Sequence, residues 1–392
     1  MSISRRGFLG ATALAACGTV LAQTTPQKKL RICIIADTQQ GGYGHDLHRA
    51  WELRDDVEVV ALSDPDEAGR AKHAPECGAQ RSYGDYREML EKERPDLVTV
   101  CPRCTVHHKE YVLAAAAVGA HGFIEKPLAM DLAEADEMLA ALDAKKLKWA
   151  IALNWHMVPE VLHALKLLQA GLVGQIMELR ARGKEDHRSG GEDLVVLGPH
   201  LFDLMRAIAG DTHWCQATAL ADGNPAAPAD IREATEPLGP IVGDTIQAVF
   251  GFDHGVTGAY SSVKHGGGGK GNHWGIEVYG TEGVLNIRME GTPFVPLIRV
   301  LRSPAWLPDT AKGIGWEPLP DAPVTTYTHP SADRYAPITA DLLAAIREDR
   351  APSASLQQGR AALEMVSAVF ASHSSGKRMA LPLEDRKHPL PT

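Results

Sequence analysis

The stretch Phe123–Met130, FIEKPLAM, sets an acid, a lysine and a proline directly after an apolar run. A lysine ammonium at a strand end can polarise a substrate oxygen, and a proline fixes φ at the exit of the strand. By itself the tripeptide also reads as a surface Glu–Lys pair before a turn. Three other places carry chemistry. Gly41, Gly42, Tyr43 and Gly44 lie in one glycine-rich loop, with Asp64 twenty residues after Gly44. Such spacing suits backbone approach to a pyrophosphate and a carboxylate bonded to an adenosine ribose, which favours NAD over NADP. Asp64 reads equally as a helix N-cap. Cys101 and Cys104, followed by His107 and His108, have the spacing of a redox pair or a zinc site. Arg180, Arg182, Lys184, Glu185, Asp186, His187 and Arg188 crowd a strand end and loop, ordinarily a solvated charge run.

The elements that must position these residues follow from the apolar pattern. LRICIIA (Leu30–Ala36), VEVVALSD (Val57–Asp64), DLVTVCP (Asp96–Pro102) and AHGFIEKP are short, continuous apolar runs. Helical patterns, GHDLHRAWELR, GDYREMLEKE and HKEYVLAAAAVG, stand between them. That alternation predicts βαβ units and a parallel sheet covered on both faces. Ligands then sit at the carboxyl ends of the strands, where the glycine loop, Asp64, Pro102–His108 and Glu125–Lys126 all fall. The glycine loop departs from G-x-G-x-x-G: Gln39 stands where the first glycine belongs, and the loop is lengthened.

The N-terminus, MSISRRGFLGATALAACGTVLAQ, has paired Arg5 and Arg6 before an apolar run ending at Ala22. This is the pattern of a twin-arginine secretory signal, with cleavage expected after Ala22. Export to the periplasm and a tightly held cofactor are the expectations, since this route carries folded proteins. LAAC at Leu14–Cys17 also resembles a lipoprotein box, so a form lipid-anchored through Cys17 is the minor alternative. The apolar run is too short for a spanning helix. About 370 residues follow, enough for two domains. A net charge of −9 argues against nucleic acid and anionic membranes as partners. Six cysteines are too few for a disulfide scaffold.

With EKP after the fourth strand unit, the chain resembles the glucose–fructose oxidoreductase / inositol dehydrogenase / MocA family (Gfo/Idh/MocA). The resemblance runs through YGDYREMLEKERPDLVTVCP, DLAEADEMLAAL, ALNWHMVP, GLVGQIMELRARG, GIEVYGTEGVLNI and the C-terminal segment beginning ADLLAAIREDR. It implies an α/β protein, with a Rossmann domain (23–150, after a signal over 1–22) and a C-terminal α/β domain (151–392). The latter is built on a large open, mostly antiparallel sheet that commonly pairs into a dimer or tetramer. It implies a nicotinamide cofactor, with Pro102, His108, Glu125, Lys126 and Asn154 near it. His156, Arg182, His187 and Asp203 are the expected substrate contacts, and no metal is expected.

The segment GGEDLVVLGPHLFDLMR (Gly190–Arg206) resembles the family's catalytic helix, with His200, Asp203 and Arg206 in place. The usual aspartate falls on Val196. Asp193 and His200 are seven apart and share a face if one helix spans both, so Asp193 is the expected substitute carboxylate. His200 is the expected acid/base, its ordinary pKa of about 6.5 suiting proton transfer near neutrality. The expected activity is oxidation or reduction of a hydroxyl on a sugar, glycoside or cyclitol with retained, recycled NAD. A redox-neutral, NAD-dependent glycosidase or epimerase is the alternative, and a non-catalytic sugar-binding protein the second.

Overall fold

The structure is a computed structural model that describes residues 28–264, 273–290 and 295–391. The proposed signal over 1–22, Cys17 and most of the glycine-rich run at 265–275 lie outside the described residues.

Six strands form the first sheet: β1 (Leu30–Ile35), β2 (Val57–Ser63), β3 (Arg81–Tyr83), β4 (Leu97–Val100), β5 (His121–Ile124) and β6 (Trp149–Ile151). Their order is 3-2-1-4-5-6, and every pairing is parallel. Ile32–Ile35 and the whole of β4 are buried, as the unbroken apolar runs require. Helices α1 (Glu67–Glu76), α2 (Tyr86–Glu93), α3 (His108–Ala117) and α4 (Leu132–Asp143) provide crossovers. Asp66, Asp85 and Asp131 cap α1, α2 and α4 by accepting first-turn backbone N–H groups.

One expected helix is not formed. Between β1 and β2 the chain runs in turns, with only a 3-10 turn at Leu47–Arg49. Gly41, Gly42, Gly44 and Asp46 all have positive φ, between 60° and 94°, which no helix propagates. The side chains of Leu47, His48 and Trp51 are buried instead, and Trp51 donates its indole N–H to Thr99.

The second sheet follows α5 (Pro159–Gln169). It begins with β7 (Ile176–Arg182), and helices α6 (Ser189–Val196) and α7 (Gly198–Ala209) lead to β8 (Thr212–Ala221). Three two-residue strands, β9 (Asn224–Pro225), β10 (Arg232–Glu233) and β11 (Pro240–Ile241), punctuate the next excursion. Then come β12 (Thr245–Phe252), β13 (Thr257–Ser262), β14 (Gly275–Gly280), β15 (Val284–Glu290), β16 (Val295–Leu301) and β17 (Trp316–Pro318). Helices α8 (Pro330–Glu348) and α9 (Leu356–Ser375) precede the last strand, β18 (Met379–Ala380). The sheet order is 17-16-15-14-7-13-12-8-18, with β9 on β8. All its pairings are antiparallel except β13 with β7. The fold is thus a parallel Rossmann sheet plus a large mixed sheet. Helix α8 returns to the first sheet: Tyr335, Ile338, Leu342 and Leu343 share a core with Ile32, Ile34 and Phe123.

Candidate active site

Lys126 leaves the end of β5 and is 3% exposed; its Nζ donates to the carbonyl of Val196 at 3.1 Å. Burial pushes its pKa below the ordinary value, with Glu125 opposing. His200, on the first turn of α7, is 5% exposed and lines the same cavity. Its ring stacks on Trp155 at 5.9 Å and meets Trp274 edge-on. Burial first, and then the Lys126 charge, hold His200 well below its ordinary pKa. It is therefore a neutral imidazole at neutral pH.

Glu125 and Asn154 also line the cavity, as do His45, Arg334 and Tyr335. Glu125 Oε1 contacts His45 Nδ1, and Tyr335 donates its hydroxyl to the His45 carbonyl. Lys184 and Arg188 complete a cationic rim, and Glu125 is the only carboxylate among the lining residues described. His45, Trp155, Trp274 and Arg334 were not anticipated as site residues. Arg334 and Tyr335 lie in the first two turns of α8, which carry no motif.

Asp193 does not join this cavity. The seven-residue spacing fails because the helix is broken: α6 ends at Val196, Leu197 caps it, and Gly198–Pro199 start α7. Gly190, at φ 61°, turns the start of α6 against the Asp244 backbone. Asp193 is 0% exposed and accepts from Ser262 Oγ (2.6 Å), Glu185 N (3.1 Å) and Lys184 N (3.3 Å). It staples the Gly183–Glu185 turn to β13. At Val196, where the resemblance lacks its aspartate, the main-chain carbonyl meets Lys126 instead.

None of the four expected substrate contacts is among the residues lining this cavity. His156 Nδ1 and the Asp203 carboxylate form a buried ion pair, and neither lines the cavity. Burial would lower His156; the Asp203 carboxylate outweighs it and raises the pKa. Arg182 pairs with Glu185 at 2.9 Å, and the His187 side chain is 76% exposed. Neither lines the cavity, although Lys184 and Arg188 of the same segment do.

The cofactor expectations divide. Among the described residues, Glu125 Oε2 and His200 Nδ1 are buried polar atoms with no protein partner, both at the cavity. Two polar atoms of lining residues left without a protein partner fit a site that holds a polar ligand. Asp64 does not fit the ribose reading. It is 0% exposed; Oδ1 accepts from Thr38 N and Asp66 N, and Oδ2 from Thr38 Oγ1 (2.6 Å) and Tyr43 Oη (2.8 Å). Tyr43 is itself 8% exposed, so its side chain seals Asp64. The residue-based preference for NAD over NADP loses its footing there. The glycine loop opens no α-helix, so no helix N-terminus follows it. Gly41 sits against the Arg103–Cys104 backbone, where a Cβ would stand 2.5 Å from Cys104 N. His108 is fully buried, with its two nitrogens 3.0 Å from the Leu128 carbonyl and 2.7 Å from that of Pro102. It and Pro102 brace two loops, without lining the cavity. Cys101 and Cys104 are buried thiols whose pKa values burial raises, so they are poor thiolate donors.

Residues 40–152 match the oxidoreductase family with an NAD-binding Rossmann fold, and residues 178–381 match that family's C-terminal α/β domain. The chain belongs to the Gfo/Idh/MocA oxidoreductase family. Levoglucosan dehydrogenase of Pseudarthrobacter phenanthrenivorans is 26% identical over 59% of this chain and 65% of its own length. Myo-inositol 2-dehydrogenase of Thermotoga maritima is 26% identical over 59% of this chain and 68% of its own. D-glucoside 3-dehydrogenase of Escherichia coli is 27% identical over 46% and 54%. The chain thus matches between about half and two thirds of the length of these curated relatives. Among solved structures, levoglucosan dehydrogenase with NADH and levoglucosan superposes at a TM-score of 0.74 and 20% identity. It covers 91% of this chain and 100% of that one. An NAD binding oxidoreductase from Klebsiella pneumoniae gives 0.72 at 23%, with the same coverage. These two likenesses show the fold.

Proposed function

We propose that this protein is an NAD-dependent oxidoreductase acting on a hydroxyl of a sugar, glycoside or cyclitol. The observation that carries the reading is the convergence of buried Lys126 and neutral, buried His200 on one cavity with two unpartnered polar atoms. NAD fits the family, and in this reading Glu125, Lys126 and Asn154 hold its nicotinamide end. The cofactor supplies the hydride acceptor. The rest of the chemistry belongs to the chain. His200 takes the hydroxyl proton on its neutral imidazole. The Lys126 ammonium, aimed by the Val196 carbonyl, stabilises the oxygen as negative charge develops. The Trp155 and Trp274 rings keep water from the imidazole.

The activities of the dehydrogenase relatives named above support a carbohydrate substrate. The twin-arginine pattern supports export and a cofactor loaded before export and regenerated in place. The two-domain division near residue 150 is part of the same reading. Exposed Met177, Val249, Val295, Leu297 and Trp316 lie on strands of the second sheet and support a homo-oligomer that covers them.

The test is a screen of sugars, glycosides and cyclitols with the purified full chain, with and without added NAD. Reduction of the nicotinamide, or a ketone product by mass spectrometry, is expected. Sugar binding without any turnover across the panel contradicts the oxidoreductase reading and favours a binding protein.

A further inference from the structure

Away from the catalytic cavity, three ligand-type side chains meet between the Leu47–Arg49 turn and the C-terminal end of α1. His48 Nε2 lies 3.0 Å from Glu76 Oε2, and His73 Nδ1 lies 2.7 Å from the same oxygen. All three ligand atoms fall within 4.8 Å of one another. The His48 side chain is fully buried, whereas those of His73 and Glu76 are 17% and 37% exposed. The cluster is therefore closed on its inner side and open to solvent on the other. Tyr43 packs on it: its ring is 3.8 Å from that of His73 and 4.9 Å from that of His48, while its hydroxyl seals Asp64.

We propose that His48, His73 and Glu76 bind a divalent metal ion of the zinc class, with water from the open side as the fourth ligand. Two imidazoles and a carboxylate form the borderline donor set that zinc takes in tetrahedral sites. Ligands at about 2.0–2.1 Å from zinc stand about 3.3 Å apart in a tetrahedron. The two His–Glu contacts, at 3.0 and 2.7 Å, must therefore spread by roughly 0.3 and 0.6 Å. The part-exposed Glu76 carboxylate has the freedom to supply that movement. As the chain stands, two imidazoles turn on one carboxylate oxygen; an ion would replace that oxygen as the hub and take a lone pair from each. Zinc takes imidazole in its neutral form and carboxylate in its ionised form.

The ion would have a positioning role. His48 sits on the segment that carries Tyr43 and the glycines, and His73 and Glu76 sit on α1. Metal binding would tie the β1–β2 connection to α1, replacing by coordination the helix that this connection lacks. None of the three residues lines the catalytic cavity.

The experiment uses the full chain stripped with a chelator, then titrated with zinc by calorimetry and with cobalt(II) by absorption. We expect one ion per chain, tetrahedral cobalt d–d bands, and a higher Tm with zinc. Glu76→Gln keeps the shape and hydrogen-bonding reach while removing the anionic ligand. It should weaken zinc binding by more than about tenfold, a loss that even outer-shell partners can cause. His73→Ala should abolish the cobalt bands. If His73→Ala fails to fold, Glu76→Gln decides. Zinc binding equal in wild type and Glu76→Gln, or a wild-type chain that takes up neither ion, would overturn the proposal and leave a hydrogen-bonded His–Glu–His cluster.

Discussion

Lys126 Nζ donates to the main-chain carbonyl of Val196 at 3.1 Å. Val196, where the resemblance leads one to expect an aspartate, therefore serves the lysine through its backbone. That contact fixes a buried ammonium without a neighbouring acid on α6, and leaves the other Nζ hydrogens for a substrate oxygen.

Replacing Lys126 with Ala should lower kcat by about 10²–10³, the loss typical of removing one electrostatic stabiliser of developing charge. Sugar affinity measured by calorimetry should fall far less. A variant with unchanged kcat contradicts the assigned role.

The pH profile should have an acid limb and an alkaline limb. His200 must be neutral to accept a proton, so activity falls as pH drops through its folded pKa. Burial places that pKa well below the usual value, and the acid limb should lie well under about 6.5. Lys126 must be protonated, so activity falls as pH rises through its pKa, which burial sets below about 10.4. Initial rates between pH 4.5 and 10, each pH checked for folding, measure both limbs. An acid limb at or above the ordinary histidine value contradicts the burial argument.

Asp193→Ala should act on stability. It leaves Ser262 Oγ and two backbone N–H groups without their acceptor. A buried donor left unsatisfied costs about 1–3 kcal/mol. Denaturant midpoints should shift accordingly while kcat per folded molecule stays within severalfold. Normal stability with lost kcat would return Asp193 to the catalytic group.

Glu93 offers a pH test of the first domain's edge. Arg81 hydrogen bonds, with Tyr83 and Arg31 adding, hold its carboxyl at about 2. Because the folded pKa is depressed, this contribution is present above the unfolded value of about 4.3 and fades as pH falls towards about 2. The arginines are 33–44% exposed, so solvent screens part of it. Glu93→Gln should lower Tm at pH 7, and the gap from wild type should narrow steadily below about pH 4.3. A gap independent of pH would mean that charge is not the cause.

The apolar strand runs made the first sheet legible, because a strand buried on both faces writes continuous hydrophobicity. The EKP motif located Lys126 because a strand end is a local feature. Asp193 misled because helix spacing was applied across Gly198–Pro199, residues that themselves signal a break. Asp64 was placed correctly at the end of β2, but its partners, Thr38 and Tyr43, come from an irregular loop whose path no periodicity encodes. The absent helix at 44–54 had an apolar helical spacing; the positive φ values at Gly44 and Asp46 override it. Arg334 and Tyr335 reach the cavity through tertiary packing of α8, some 200 residues from Lys126. The His48–His73–Glu76 cluster joins a turn to the far end of a helix, so it forms no sequence motif.

The most direct measurement of the central claim is made on the purified chain before any nucleotide is added. Denature it, separate the released small molecules by chromatography, and titrate the emptied, refolded or stripped protein with NADH by fluorescence. A stoichiometric release of NAD(H), with rebinding afterwards, is the predicted result. A chain that releases no nicotinamide nucleotide and fails to bind added NADH or NADPH contradicts the oxidoreductase account.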